Sequence, residues 1–83
     1  MPFTYLLKCN DGTYYTGWTV DLEQRLKKHN QGTASKYTRS RLPVGLVYWE
    51  EYKTRSEAQK REATLRKLSR KYKESLIESF KTS

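Results

Sequence analysis

Phe3-Thr4-Tyr5-Leu6-Leu7-Lys8-Cys9, then Asn10-Asp11-Gly12, then Thr13-Tyr14-Tyr15-Thr16-Gly17: this run decides the fold. Its two flanks are aromatic and aliphatic, as strands should be, and the middle is a turn signal. The three therefore make a β-hairpin. A three-residue loop with Gly12 in the left-handed conformation, a type I turn plus bulge, pairs Cys9 with Thr13, Leu7 with Tyr15 and Tyr5 with Gly17. Tyr5 and Tyr15 then lie diagonally on one face of the hairpin, within reach of each other. A two-residue Asp11-Gly12 turn would slip the register by one and send the tyrosines to opposite faces. The three-residue loop is the expectation.

Beyond the hairpin, Asp21 is a good N-cap for a helix running to about Gln31, with Gln24 placed as in a capping box and Gly32 as the stop. Residues 33–43 have neither a helical nor a strand period and read as a polar, basic loop carrying Lys36, Tyr37, Arg39 and Arg41. Gly45-Leu46-Val47-Tyr48-Trp49-Glu50-Glu51-Tyr52 reads as a third strand, and its nearly continuous apolar run suggests cover on both faces. Ser56 with Gln59 suggests a second helix over about 56–68, although Thr54 with Glu57 would cap it almost as well. Ser69 caps a third, on which Tyr72, Leu76 and Phe80 form one apolar stripe. The expected class is α+β: a three-stranded antiparallel sheet flanked by about three helices.

The chain has 83 residues, the length of one domain, taken as 1–83. An aromatic content of 13% argues against disorder. Lys and Arg number 17 against 9 acids, a formal charge of +8, which favours a polyanionic partner. No apolar run approaches the ~20 residues of a membrane-spanning helix, and nothing reads as a signal peptide. Nucleic acid is therefore preferred to a membrane. The single Cys9 excludes an internal disulfide and a multi-cysteine zinc site, so a cytoplasmic setting and a packed thiol are expected.

Charges occupy the wrong faces of two helices. In the first, Arg25 and His29 share the stripe of Leu22 and Leu26; in the second, Glu62 lies between Ala58 and Leu65. An unpaired charge on a face turned to the sheet costs several kcal/mol. Two arrangements avoid that cost. One is an Arg25–Glu62 ion pair that merely closes the core. The other is a cleft where a carboxylate, a guanidinium, an imidazole and two phenols meet. Phosphodiester chemistry uses that set: the carboxylate for a metal ion, the guanidinium for phosphate, the phenol or imidazole for the proton.

Phe3-Thr4-Tyr5 followed by Tyr15-Thr16-Gly17 resembles the paired motifs of the GIY-YIG nuclease superfamily. Arg25, ten residues beyond the second motif, and a later helix bearing Glu62 are similar to the rest of its signature. The runs Lys36-Tyr37-Thr38-Arg39 and Ser69-Arg70-Lys71 look like its small stand-alone bacterial branch, and the resemblance covers about residues 3 to 77. It implies the same sheet-and-helix fold, and hydrolysis of a phosphodiester bond with a single divalent ion, Mg²⁺ or Mn²⁺. By this resemblance Glu62 would be the metal ligand and Arg25 would bind the scissile phosphate. Tyr5 and Tyr15 would position or deprotonate the attacking water, and His29 would assist proton transfer. A free phenol has a pKa near 10, so a tyrosine base needs help from nearby positive charge; which tyrosine acts as base stays open.

Three positions depart from the pattern: Phe3-Thr4 replaces Gly-Ile, Trp18 stands where some members carry Lys, and Lys73 and Glu74 occupy the region where some use Asn. Lys36, Tyr37, Arg39 and Arg41 in the loop, with Arg66, Lys67, Arg70 and Lys71, are the expected nucleic-acid contacts. DNA is the expected substrate, met by a monomer or weak dimer. The rival readings are a non-catalytic nucleic-acid-binding module on the same scaffold and a basic accessory protein docking on an acidic partner.

Overall fold

The computed structural model describes residues 1–82. Strands β1 (Phe3–Lys8) and β2 (Tyr14–Thr19) are followed by helices α1 (Leu22–Asn30) and α2 (Lys36–Arg39), strand β3 (Gly45–Glu51), and helices α3 (Arg55–Lys67) and α4 (Arg70–Thr82). The sheet is antiparallel in the order β2-β1-β3. The α+β class and three-stranded sheet are as expected, with four helices rather than about three.

The hairpin has the expected register. Leu7 pairs with Tyr15 and Tyr5 with Gly17. Cys9 N–H donates to Thr13 O at 2.8 Å and Gly12 N–H to Cys9 O at 2.9 Å. Gly12 has φ +85°, the left-handed conformation that closes such a loop at no Cβ cost. Because β1 is central, its alternate residues feed two cores. Tyr5, Leu7 and Cys9 pack with Val44 beneath Leu22 and Leu26 of α1. Leu6 packs with Tyr48, Leu65 of α3 and Ile77 of α4 on the other face. Cys9 is a buried free thiol, as its strand position implied, and burial pushes its pKa up.

Four local expectations are corrected. β3 is an edge strand with Trp49 40% exposed, not a strand covered on both faces. A register shift opposite Leu6/Leu7 sets a bulge at Val47, so its apolar residues do not alternate and imitate a doubly buried run. Residues 33–43 are not all loop: Ser35 Oγ accepts from Tyr37 N–H and starts the single turn α2, too short to show a period. α3 is capped by Thr54, in a complete capping box with Glu57, rather than by Ser56. On α4 the inward residues are Leu76, Ile77 and Phe80, while Tyr72 is 53% exposed, one hydrophobic position off the stripe. Ser69 Oγ does accept from Tyr72 N–H, as its capping role requires.

α3 lies against β1 and β2. Thr4 Oγ1 donates to Ala58 O at 2.7 Å. Arg61 Nε and Nη2 grip the two oxygens of Glu50 at 2.9 and 3.2 Å, and the hydroxyls of Tyr48 and Tyr52 donate to the same carboxylate. This charge-assisted clamp ties α3 to β3 and so fixes the rotation of the helix at Glu62, the next residue.

Candidate active site

The site stands on the hairpin face that carries Tyr5 and Tyr15. Gly17, opposite Tyr5, makes it possible. A Cβ there would meet Tyr5 Oη at 2.5 Å, Tyr5 Cζ at 2.6 Å and Tyr15 Cε2 at 3.1 Å. The Tyr5 phenol fills the space where any other residue would put a side chain. The rings of Tyr5 and Tyr15 are 6.5 Å apart, and His29 of α1 approaches both edge-on, at 6.0 and 5.0 Å. Tyr37 of α2 continues the aromatic row, 6.0 Å from Tyr15.

Tyr5 Oη and His29 Nε2 are 2.9 Å apart, and His29 Nδ1 lies 2.8 Å from Thr38 Oγ1. All three side chains are fully buried. Burial raises the Tyr5 pKa to about 12, against a lowering hydrogen bond from Arg25. Burial first, then the Arg25 charge, lowers His29 from 6.5 to about 4, so the imidazole is neutral at neutral pH. These facts assign the protons. Thr38 Oγ1 gives its proton to Ser35 O at 3.4 Å, so it accepts from His29 Nδ1–H, and Nε2 of the neutral imidazole accepts from the Tyr5 hydroxyl. The chain Tyr5, His29, Thr38, Ser35 runs in one direction and holds the phenol in place. Thr38 lies in the family-like run Lys36-Tyr37-Thr38-Arg39, but its contact with His29 is not readable there, because α2 is too short to show a period.

The depressed His29 pKa carries a stability prediction. Between pH 6.5 and 4 the unfolded chain binds more protons at this residue, so stability falls as pH falls. The loss from pH 7.5 to 4.5 is expected to be roughly 2–3 kcal/mol. Urea unfolding at both pH values, beside a His29→Leu variant, isolates it from the carboxylates. An equal pH dependence in the two proteins would refute the assignment.

Arg25 and Glu62 both act on the Tyr5 phenol, with opposite sign. They are not each other's ion partner among the described pairs: Glu62 pairs with Arg66, one turn along α3. Helical phase predicts which face a side chain occupies, not which neighbour it reaches. The Glu62 side chain is 14% exposed. Among the described residues, three buried polar atoms make no hydrogen bond: Arg25 Nε, Thr16 Oγ1 and Glu62 Oε2, the last held in its ion pair with Arg66. Two belong to the predicted site residues and one to the strand between the tyrosine and the glycine of the second motif. Unsatisfied buried groups are rare, and their concentration here suits groups that meet a ligand.

Because β2 is an edge strand, clefts open along it. One, of about 270 Å³, is lined by Tyr14, Tyr15, Thr16, Tyr37, Arg66 and Lys73. Another, of about 330 Å³, is lined by Trp18, Thr19, Val20, Arg25 and Arg55. Lys73, and Arg55, which carried no signal in the sequence, thus join the cationic lining. A larger hollow of about 550 Å³ lies along α1, by Leu26 and Asn30, away from these groups.

Of the expected nucleic-acid contacts, Tyr37 is exposed beside Tyr15 and Arg66 is held by Glu62; the other six divide into two sets. Lys36, Arg39, Lys67 and Lys71 are exposed. Arg41 and Arg70 are partly committed within the chain. Arg41 pairs with Asp11 at 3.0 Å and stacks 4.0 Å over the Tyr37 ring. Arg70 pairs with Glu74 and lies over Tyr14.

A model of the GIY-YIG catalytic domain family matches residues 1–75. A UPF0213 protein of Clostridium perfringens is 52% identical over 95% of this chain and 85% of its own. One from Halobacterium salinarum is 47% identical over 93% of this chain and all of its own. Among solved structures, the solution NMR structure of a UPF0213 protein from Bacillus halodurans superposes with a TM-score of 0.59 at 42% identity, covering 94% of this chain and 84% of that one. A protein from E. faecalis, also solved by NMR, gives 0.62 at 45% identity, covering 98% and 86%.

Proposed function

Because this chain belongs to the GIY-YIG catalytic domain family, with small UPF0213 proteins as its relatives, we propose that it is a metal-dependent endonuclease that hydrolyses phosphodiester bonds in DNA. One observation carries the reading. Tyr5, Tyr15 and His29 are in mutual ring contact, and Arg25 and Glu62 bear on the same phenol.

A divalent ion suits Glu62, a carboxylate withdrawn from bulk water and balanced by the solvent-exposed Arg66. Among the described residues no cluster of three ligating side chains surrounds it. The ion would complete its shell with water and phosphate oxygens, as Mg²⁺ commonly does. When bound, it supplies Lewis acidity toward the phosphate and the water.

The chain's own groups do the rest. Arg25, with an unsatisfied Nε, takes a non-bridging phosphate oxygen and offsets the charge that builds there. Tyr15 meets the attacking water, because it lines an open cleft while Tyr5 is 1% exposed. Tyr5 keeps its proton and, held by His29 and Thr38, fixes the ring against which Tyr15 packs. His29, fully buried, acts through the tyrosines it touches, Tyr5 by a hydrogen bond and Tyr15 by ring contact. The exposed Lys36, Arg39, Lys67 and Lys71 hold the flanking backbone, in keeping with the +8 charge. The proposed setting is the cytoplasm, with the chain acting as a monomer or weak dimer. No helix among the described residues is long and apolar enough to cross a membrane.

The test incubates the purified chain with plasmid, branched DNA and single strands in Mg²⁺, Mn²⁺ or EDTA. Metal-dependent strand breaks are expected, slowed about 100-fold or more by Tyr15→Phe. Binding without cutting under every condition would replace the nuclease by a binding module. No binding at low salt would leave the accessory-protein reading.

A further inference from the structure

Glu62 and Arg66 form an ion pair with unequal ends: the carboxylate is 14% exposed and the guanidinium 64%. A surface pair at this spacing contributes little to a helix. Here the carboxylate is withdrawn from water, where a charge without a partner is costly. Arg66 Nη2 meets Glu62 Oε2, an oxygen that takes no hydrogen bond from any other described residue. The same guanidinium lines the cleft that holds Tyr15 and Lys73, on the rim of β2. Its reach therefore includes both the carboxylate and the place beside Tyr15 where a substrate phosphate would lie. Nearby, burial and then the Arg66 charge hold the Lys73 ammonium below its ordinary range, as expected of two cations that share one cleft wall.

We propose that Arg66 is the resting counter-ion of the metal position: it neutralises Glu62 while no divalent cation is bound, is displaced when one binds, and then pairs with Lys73 as a phosphate clamp beside Tyr15. This rests on the reading of Glu62 as metal ligand and adds a residue that the reading does not need. It also gives the site a coupling. Phosphate in the cleft draws Arg66 off Glu62 and so favours the cation, while the cation releases Arg66 to the phosphate.

Mn²⁺ binding to the full chain, read from the loss of the free-ion electron paramagnetic resonance signal, tests this without DNA. Arg66→Gln is expected to bind Mn²⁺ about two- to fivefold more tightly than wild type, because the competing cation is gone. Arg66→Lys, which keeps the charge, should stay near wild type, and Glu62→Gln should bind most weakly. A purely structural helix pair would leave the Mn²⁺ affinity of Arg66→Gln unchanged or lowered. That result, with Glu62→Gln still impaired, overturns the counter-ion role alone. If Glu62→Gln binds as well as wild type, or if no protein binds Mn²⁺, the ligand reading falls and the proposal with it.

Discussion

Glu62→Gln is expected to slow DNA cleavage by about three orders of magnitude and leave the protein folded. The amide keeps the shape of the carboxylate and loses its charge. On the proposed mechanism that charge holds the divalent ion, whose stabilisation of the transition state amounts to several kcal/mol, or about 1000-fold at 1.4 kcal/mol per decade. The structural cost is small by comparison. What is lost is the ion contact between Arg66, itself largely solvent-exposed, and Glu62 Oε2, which has no other hydrogen-bond partner among the described residues. A change in stability within about 1 kcal/mol is expected from such a pair. Single-turnover rates and thermal melts on the same preparations separate the two effects. A variant that cuts at a tenth of the wild-type rate or faster would remove Glu62 from the chemistry.

The largest stability effect is expected at Gly17. Alanine in a strand interior ordinarily gains about 0.5–1 kcal/mol over glycine. Here the added Cβ would stand 2.5 Å from Tyr5 Oη, and the phenol has nowhere to go: it is buried, and bonded to His29 behind it. Overpacking of this kind costs about 1–3 kcal/mol, so the net sign is destabilising. Gly17→Ala should lose about 1–2 kcal/mol. Gly17→Val should lose about 3 kcal/mol or more, a large share of the roughly 4–12 kcal/mol expected for a chain of this length. Gly17→Ala should also lose cleavage activity out of proportion to its stability, because Tyr5 is displaced from His29 and Tyr15. Urea unfolding and cleavage assays below the melting temperature distinguish the two losses. A Gly17→Ala protein as stable and active as wild type would mean that the Tyr5 ring is not seated as described.

Much of this was readable from residues alone, for identifiable reasons. Asn10-Asp11-Gly12 fixes loop length and therefore register, and register alone puts Tyr5 and Tyr15 on one face. Helical phase from Leu22 and Leu26, and from Ala58 and Leu65, turns Arg25, His29 and Glu62 toward the sheet. Partners were harder to read. Arg25 and Glu62 were equally consistent with pairing to each other, and only the fold shows Glu62 turned to Arg66. That pair has the i,i+4 spacing at which helical side chains meet. Thr38 stands in a family-like run, yet its role depends on a one-turn helix that shows no period. The edge position of β3 was hidden by the bulge at Val47, which removes the alternation that marks a half-exposed strand.

The central claim is that Glu62, with the tyrosines and Arg25, forms one metal-dependent hydrolytic site. The measurement that bears on it most directly is the single-turnover rate of DNA cleavage as a function of Mn²⁺ concentration, for wild type and Glu62→Gln. The predicted result is a wild-type rate that is zero in EDTA and saturates at the Mn²⁺ concentration where binding saturates, with both responses lost in Glu62→Gln. A rate that ignores Mn²⁺, or a Glu62→Gln protein that follows the wild-type curve, would contradict it.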